Sequence, residues 1–247
     1  MSTKAMAKGR KLRFGDVMGI TVGGVPAFSS DYDSADDSTY RSRKDYVSFS
    51  ADGTYCGFKY QCVEFARRWL ISVYQITFPD VHMAYEIFEL PCFHRVVPKS
   101  AAAGSDASDA LGPSVPVLRC PNDVSAALPS TGAVIMWKSG GFFRFTGHVA
   151  IVTESSEDAP ARAGAPSSTG WIRVAEQNVY DASWDGRDHS RELRAERLPS
   201  GGWRIHDNHS CTHVLGWLVP VLQEPVALVA AAGSSALSGS TVGAPHI

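Results

Sequence analysis

Apolar positions follow a helical period most clearly across residues 60–76. Cys62, Phe65, Ala66, Trp69, Leu70 and Val73 recur at spacings of three and four, while Glu64, Arg67, Arg68 and Gln75 fall mostly on the other side. The pattern predicts an amphipathic helix over residues 61–76, with one apolar face and one solvated face. Gly53 and Gly57 loosen the chain before it, and Phe78-Pro79 breaks the pattern after Thr77. A second helical stretch is expected over 81–89 and a short piece over 122–127.

From residue 134 onward the pattern changes to the period of a strand. Val134–Trp137, His148–Thr153, Ile172–Ala175, Glu192–Leu198, Trp203–Ile205 and His213–Val219 are apolar or alternating runs parted by turn residues. Strand follows strand with no long helix between, which predicts an antiparallel sheet. The fold class expected is therefore α+β, with helices gathered in the first half. Residues 99–114 and 155–170 are small, polar and turn-rich, and read as surface insertions. The chain is expected to divide into a flexible start (1–12), one domain (13–220) and an Ala/Gly/Ser-rich tail (221–247).

The chemistry concentrates where the first helix begins. Cys62 falls in its first turn, where unpaired N–H groups and the positive end of the helix dipole favour a thiolate. Such a placement lowers a cysteine below its free value of about 8.5, and a thiol of this kind is also prone to sulfenic oxidation. A nucleophilic thiol needs a base, and the base needs an orienting group. His148 opens the apolar run His148–Thr153, and Glu176 ends the strand-like stretch from Trp171. Neighbouring antiparallel strands would hold these two side by side at the helix end. The competing reading is an inert buried cysteine and a structural histidine, since triads are recognised by geometry and not by sequence position.

Three strings weigh on that choice. Gln-Cys-Val-Glu-Phe-Ala-Arg-Arg at 61–68, Thr-Gly-His-Val-Ala-Ile at 146–151 and Ala-Glu-Gln-Asn at 175–178 occur in this order. Together they resemble the amidase domain of the glutathionylspermidine/trypanothione synthetase-amidase family, within the CHAP group of papain-like cysteine amidases. Further matching stretches are Gly23–Tyr32, Asp80–Phe88, Gly132–Trp137 and Leu215–Leu218. The resemblance implies a papain-like CHAP fold and a catalytic Cys62, His148 and Glu176. It also implies hydrolysis, through a thioester, of the amide joining glutathione to a polyamine, with no cofactor. By the same resemblance Arg67, Val81, His82, Met83, Ala84 and Asn178 would meet the substrate, Arg67 through an anionic part of glutathione. The Cys62 N–H is an oxyanion donor, and Gln61 and Asn178 are both candidates for a second. His82 departs from the small residue the family carries in that loop, which puts the polyamine preference in question. The family's ATP-grasp ligase has no room in 247 residues, so conjugate synthesis is not expected.

Composition narrows the field further. A net charge of −2 offers no basic field for nucleic acid or anionic lipid. No apolar run reaches the ~20 residues of a membrane span, and the basic start lacks a signal-peptide core. The five cysteines, an odd number without paired short spacing, point away from a disulfide framework and toward the cytoplasm. His206, His209, Cys211 and His213 are four potential metal ligands within a short stretch. In an extended strand His206 faces away from the other three, and such close spacing crowds a tetrahedral ion, so no metal is expected. Two other functions fit the same residues: a CHAP peptidoglycan amidase and a CHAP module without catalysis. Nothing in the chain speaks to oligomeric state.

Overall fold

The computed structural model describes residues 11–36, 38, 46–97, 111–160, 168–207, 210 and 212–222. The expected insertion core at 98–110, residues 161–167, most of the expected N-terminal arm and the tail from 223 lie outside that set.

Among the described residues, thirteen strands and one long α-helix make the scaffold. In chain order the strands are β1 (Val17–Ile20), β2 (Pro26–Phe28), β3 (Val47–Phe49), β4 (Tyr55–Phe58), β5 (Ile76–Thr77), β6 (Cys92–Arg95), β7 (Ser114–Pro121), β8 (Val134–Trp137), β9 (His148–Glu157), β10 (Thr169–Ala175), β11 (Arg191–Arg197), β12 (Trp203–His206) and β13 (Val214–Pro220). The helix α1 spans Cys62–Tyr74, between β4 and β5. Nine strands form one sheet in the order β12-β11-β10-β9-β8-β13-β7-β6-β5, and its pairings are antiparallel. β1–β2 and β3–β4 are separate two-stranded ribbons. This is the α+β arrangement that the strand-after-strand order predicts.

Alternation along the central strands feeds two apolar layers. Val134 and Met136 of β8 join Val149 and Ile151 of β9 against Phe65, Trp69 and Leu70 of α1. Ile135, Trp137, Ala150 and Val152 point the other way, into a layer with Ile172, Val174, Leu193, Trp203 and Trp217. A strand buried on both faces loses the polar half of its pattern, which is why Val134–Trp137 is a continuous apolar run.

The helix departs from its expected two-faced form. Its supposed solvent side is covered, and Glu64 and Arg67 are buried. The β3–β4 ribbon lies against it, and Gly57 of β4 permits the contact: at φ +132°, a Cβ there would sit 3.3 Å from Glu64 Cα. Burial of Glu64 is met by hydrogen bonds from Ser48 Oγ (2.7 Å), Arg68 Nε (2.6 Å) and Gln177 Nε2 (2.9 Å). Polar residues on a periodic helix do not reveal that a second layer will cover them.

Three further expectations are corrected. Residues 122–127 form turns instead of a helix, because Asn122 bridges to the Ile205 backbone through both its N–H and its carbonyl oxygen. The 81–89 stretch is a 3-10 helix confined to Ala84–Glu89, since the Glu86 carboxylate accepts the N–H groups of His82 (2.9 Å) and Met83 (3.1 Å). The ends of the two supposed insertions are strand: Ser114 opens β7, Ser155–Glu157 close β9, and Thr169 and Gly170 open β10. Much of the β9–β10 extension is solvent-exposed, so it leaves no apolar signature.

Candidate active site

Cys62 is the first residue of α1 and follows Gln61, whose extended backbone ends the incoming chain. The opening N–H groups of a helix lack intrahelical acceptors, so they surround the thiol with donors. Only 7% of Cys62 is exposed. His148 stands beside it at the start of β9, near enough for the two side chains to interact. Gly147, immediately before it, has φ +63°, and a Cβ there would lie 2.6 Å from the Trp137 carbonyl oxygen. Glycine therefore allows the sharp entry into β9. The imidazole is stacked on Phe143, with ring centroids 4.5 Å apart and an 8° interplanar angle.

The second ring nitrogen is held by the carboxylate. His148 Nε2 donates to Glu176 Oε2 at 2.9 Å, and both side chains are 2% exposed. That leaves Nδ1 as the ring nitrogen not bound to the carboxylate. Burial on its own would lower the imidazole; the neighbouring Cys62 and Glu176 outweigh burial and raise His148 to about 9. Burial would likewise raise Glu176, but the Arg191 charge and the His148 contact pull it down to about 2. The arrangement thus sets Cys62, His148 and Glu176 in succession, the imidazole raised by its neighbours and the carboxylate lowered by Arg191 and His148.

These shifts carry a pH dependence with a definite sign. The raised His148 contributes stability that is full below 6.5 and decays as pH rises from there to about 9. The lowered Glu176 contributes stability that is full above 4.5 and is lost as pH falls toward about 2. Urea midpoints measured across pH should therefore plateau between these windows and fall on both sides. A midpoint that keeps rising from neutral pH to pH 10 would contradict the charged histidine.

A polar chain flanks the other side of the helix start. Asn178 Nδ2 donates to Gln61 Oε1 (2.8 Å), Gln61 Nε2 donates to Tyr32 Oη (2.6 Å), and Ser30 Oγ donates to Asn178 Oδ1 (3.0 Å). Asn178 has φ +61°, a left-handed conformation that asparagine tolerates better than most residues. Gln61 and Asn178 are thus brought together beside Cys62.

Arg67 is placed differently from the expectation of an open helix charge. Its Nε donates to Phe78 O (3.3 Å), Nη1 to Cys56 O (3.5 Å), and Nη2 to Pro79 O (2.7 Å) and Asp80 Oδ1 (2.9 Å). Those four bonds account for all but one of the N–H donors a guanidinium carries. Asp80 leads directly into Val81, His82, Met83 and Ala84. Ala84 N–H in turn donates to Thr146 O at 2.9 Å, which ties this segment to the turn before His148. Of the histidine-rich stretch, His206 Nε2 lies 3.1 Å from Glu196 Oε1, whereas His209 and Cys211 are outside the described residues.

Sequence reasoning missed Arg191 and Asp207. Arg191 Nε and Nη2 clamp Glu176 at 2.5 and 3.1 Å, and its Nη1 reaches both Asp207 oxygens at 2.9 and 3.0 Å. Neither residue belongs to a distinctive string. The one available signal was that a buried carboxylate on a buried histidine needs a cation.

A family model for the CHAP domain matches residues 52–178, a span that takes in Cys62, His148 and Glu176. The chain belongs to the CHAP family. Among curated proteins, the CHAP chain is 36% identical over 207 residues to the bifunctional glutathionylspermidine synthetase/amidase of Escherichia coli (strain K12), covering 83% of this chain and 29% of that protein. It is 32% identical over 211 residues to trypanothione synthetase of Crithidia fasciculata, covering 84% of this chain and 27% of that protein. The chain therefore spans under a third of the length of these relatives. No helix among its described residues is long and apolar enough to cross a membrane.

Proposed function

We propose that this protein is a cysteine amidase that hydrolyses the bond between the glycine carboxyl of glutathione and a polyamine nitrogen, as in glutathionylspermidine. The observation that carries the reading is the buried line Cys62–His148–Glu176 at the start of a helix. The names of its relatives support the substrate class.

In this mechanism Cys62 Sγ attacks the amide carbon, and the Cys62 N–H, helped by the remaining N–H of the Gln61 amide, receives the developing oxyanion. The C–N bond breaks as His148 Nδ1 passes its proton to the leaving amine. Water then gives a proton to the same nitrogen, attacks the thioester and releases glutathione. Glu176 keeps the ring oriented and favours its protonated form throughout.

Arg67 acts in this scheme through the loop it holds. A substrate carboxylate would have to displace Asp80 to reach the guanidinium, so the proposed role is to fix Phe78–Asp80 and thereby the wall at Val81–Ala84. Arg67→Lys keeps the charge and loses the planar fork. The expected result is a Michaelis constant raised several-fold, a smaller fall in turnover and a loss of about 1–3 kcal/mol in stability from the unmet carbonyls. Parent-like values for all three would remove Arg67 from the account.

Hydrolysis rates across glutathionylspermidine, simple glutathione amides and purified murein test the proposal. Preference for the glutathione conjugates is expected. Cleavage of murein with none of the glutathione amides would favour a peptidoglycan amidase instead.

A further inference from the structure

The buried charges beyond the candidate triad form an alternating row. From Cys62 it runs through His148 and Glu176 to Arg191, at the head of β11, and on to Asp207, just after β12. The Arg191 side chain is 9% exposed and that of Asp207 is fully buried. Asp207 is itself fixed by the Ser210 N–H (3.1 Å) and hydroxyl (2.8 Å). Both residues lie beyond the span matched by the CHAP family model.

One guanidinium shared by two buried carboxylates is more than an anchor for Glu176. A buried carboxylate needs a cation to stay ionised, yet a cation beside it also weakens its attraction for imidazolium. Asp207 draws on the same guanidinium from the far side, through both of its oxygens. Glu176 can then be charged and still hold a proton on His148. We propose that Arg191 and Asp207 are a positioning pair that sets how tightly His148 holds its proton, acting through Glu176 and touching neither thiol nor substrate.

The groups that face the histidine are accounted for on each side. Cys62 approaches from α1 and Glu176 from the end of β10, while Trp137 of β8 and Phe143 contribute neutral rings. Ser190 Oγ donates to Glu176 Oε1 at 3.0 Å and adds no charge. The Arg191 guanidinium lies 5.7 Å from the Trp137 ring centroid. Among the described residues, the charges bonded in line behind Glu176 are those of Arg191 and Asp207.

The inference deepens the amidase reading and rests on it for its catalytic meaning, but its test does not depend on turnover. The His148 titration is followed by NMR of the histidine-labelled full chain in the parent, Asp207→Asn, Arg191→Gln and the double variant. Asp207→Asn leaves the guanidinium unbalanced and should move the titration down by about one pH unit, a tenfold change in proton affinity. Arg191→Gln removes the opposing cation and should move it up. The double variant removes both charges and should return it toward the parent, which mere structural damage would not do. If Arg191→Gln does not fold, Asp207→Asn and the double variant still carry the comparison. Shifts of the same sign in the single variants, or none, overturn the inference. Glutathione-amide hydrolysis by the parent with no such shifts sinks the pair alone. The expected shifts in a protein that cleaves no amide support the pair and sink the amidase reading.

Discussion

Cys62→Ala is expected to abolish amide hydrolysis while leaving the protein folded. The substitution removes the sulfur that the proposed mechanism joins to the acyl group, and among the described cysteines it is Cys62 that interacts with His148. Cys56 is also buried near α1, but burial and the Glu64 charge push its thiol up to about 12, which keeps it protonated and inert. Cys62 is small and sits at the helix start, so alanine there retains good helix propensity and leaves a cavity of only one atom. Turnover should fall to background in a protein whose circular dichroism and melting temperature stay near the parent's. Near-normal turnover by this variant would end the nucleophile assignment.

Glu176→Gln is expected to have the second largest effect, and it should be felt in both turnover and stability. The new amide accepts hydrogen bonds at one oxygen only, whereas the carboxylate takes His148 Nε2 and Arg191 Nη2 at Oε2 and Arg191 Nε at Oε1. The donors at whichever oxygen becomes NH2 lose their acceptor. The loss of carboxylate charge removes support for imidazolium, which by analogy with other triads lowers turnover by about four orders of magnitude. Arg191 keeps Asp207 but loses half its compensation, and breaking a buried charge pair costs about 3–5 kcal/mol. Turnover and urea midpoint should therefore fall together, with the Michaelis constant little changed. An effect confined to the Michaelis constant would make Glu176 a substrate ligand instead.

Much of the fold was legible because the central strands and α1 keep simple periods. Val134–Trp137 and His148–Thr153 advertise a doubly buried sheet, and the run from Cys62 to Val73 a helix. The polar side of α1 was misread because a helix covered by a ribbon has the same periodicity as one facing water. Glu64 and Arg67 differ from solvated charges only in their partners, which lie mostly on other elements, among them Ser48 of β3, Gln177 after β10, Cys56 of β4 and the loop after β5. The strands β6 and β7 escaped because prolines, polar residues and short length hide their alternation.

The candidate site was legible in its chemistry more than in its support. Cys62, His148 and Glu176 stand within recognisable strings, and the structure brings their side chains into contact. Gln61 and Asn178 are also brought together, through a hydrogen bond across 117 positions of chain. Arg191 and Asp207 had no such mark. A charged residue at a strand end is indistinguishable in sequence from a solvated one, and only the meeting of β11 and β12 with the end of β10 reveals the row.

The central claim is that Cys62 carries the acyl group during turnover. Its most direct test is intact-protein mass spectrometry on samples quenched in acid within the first turnovers on glutathionylspermidine, followed by peptide mapping. The account predicts a transient adduct on Cys62 equal in mass to glutathione less one water, absent from Cys62→Ala. Turnover with no adduct at any quench time, together with an active Cys62→Ala protein, would contradict it.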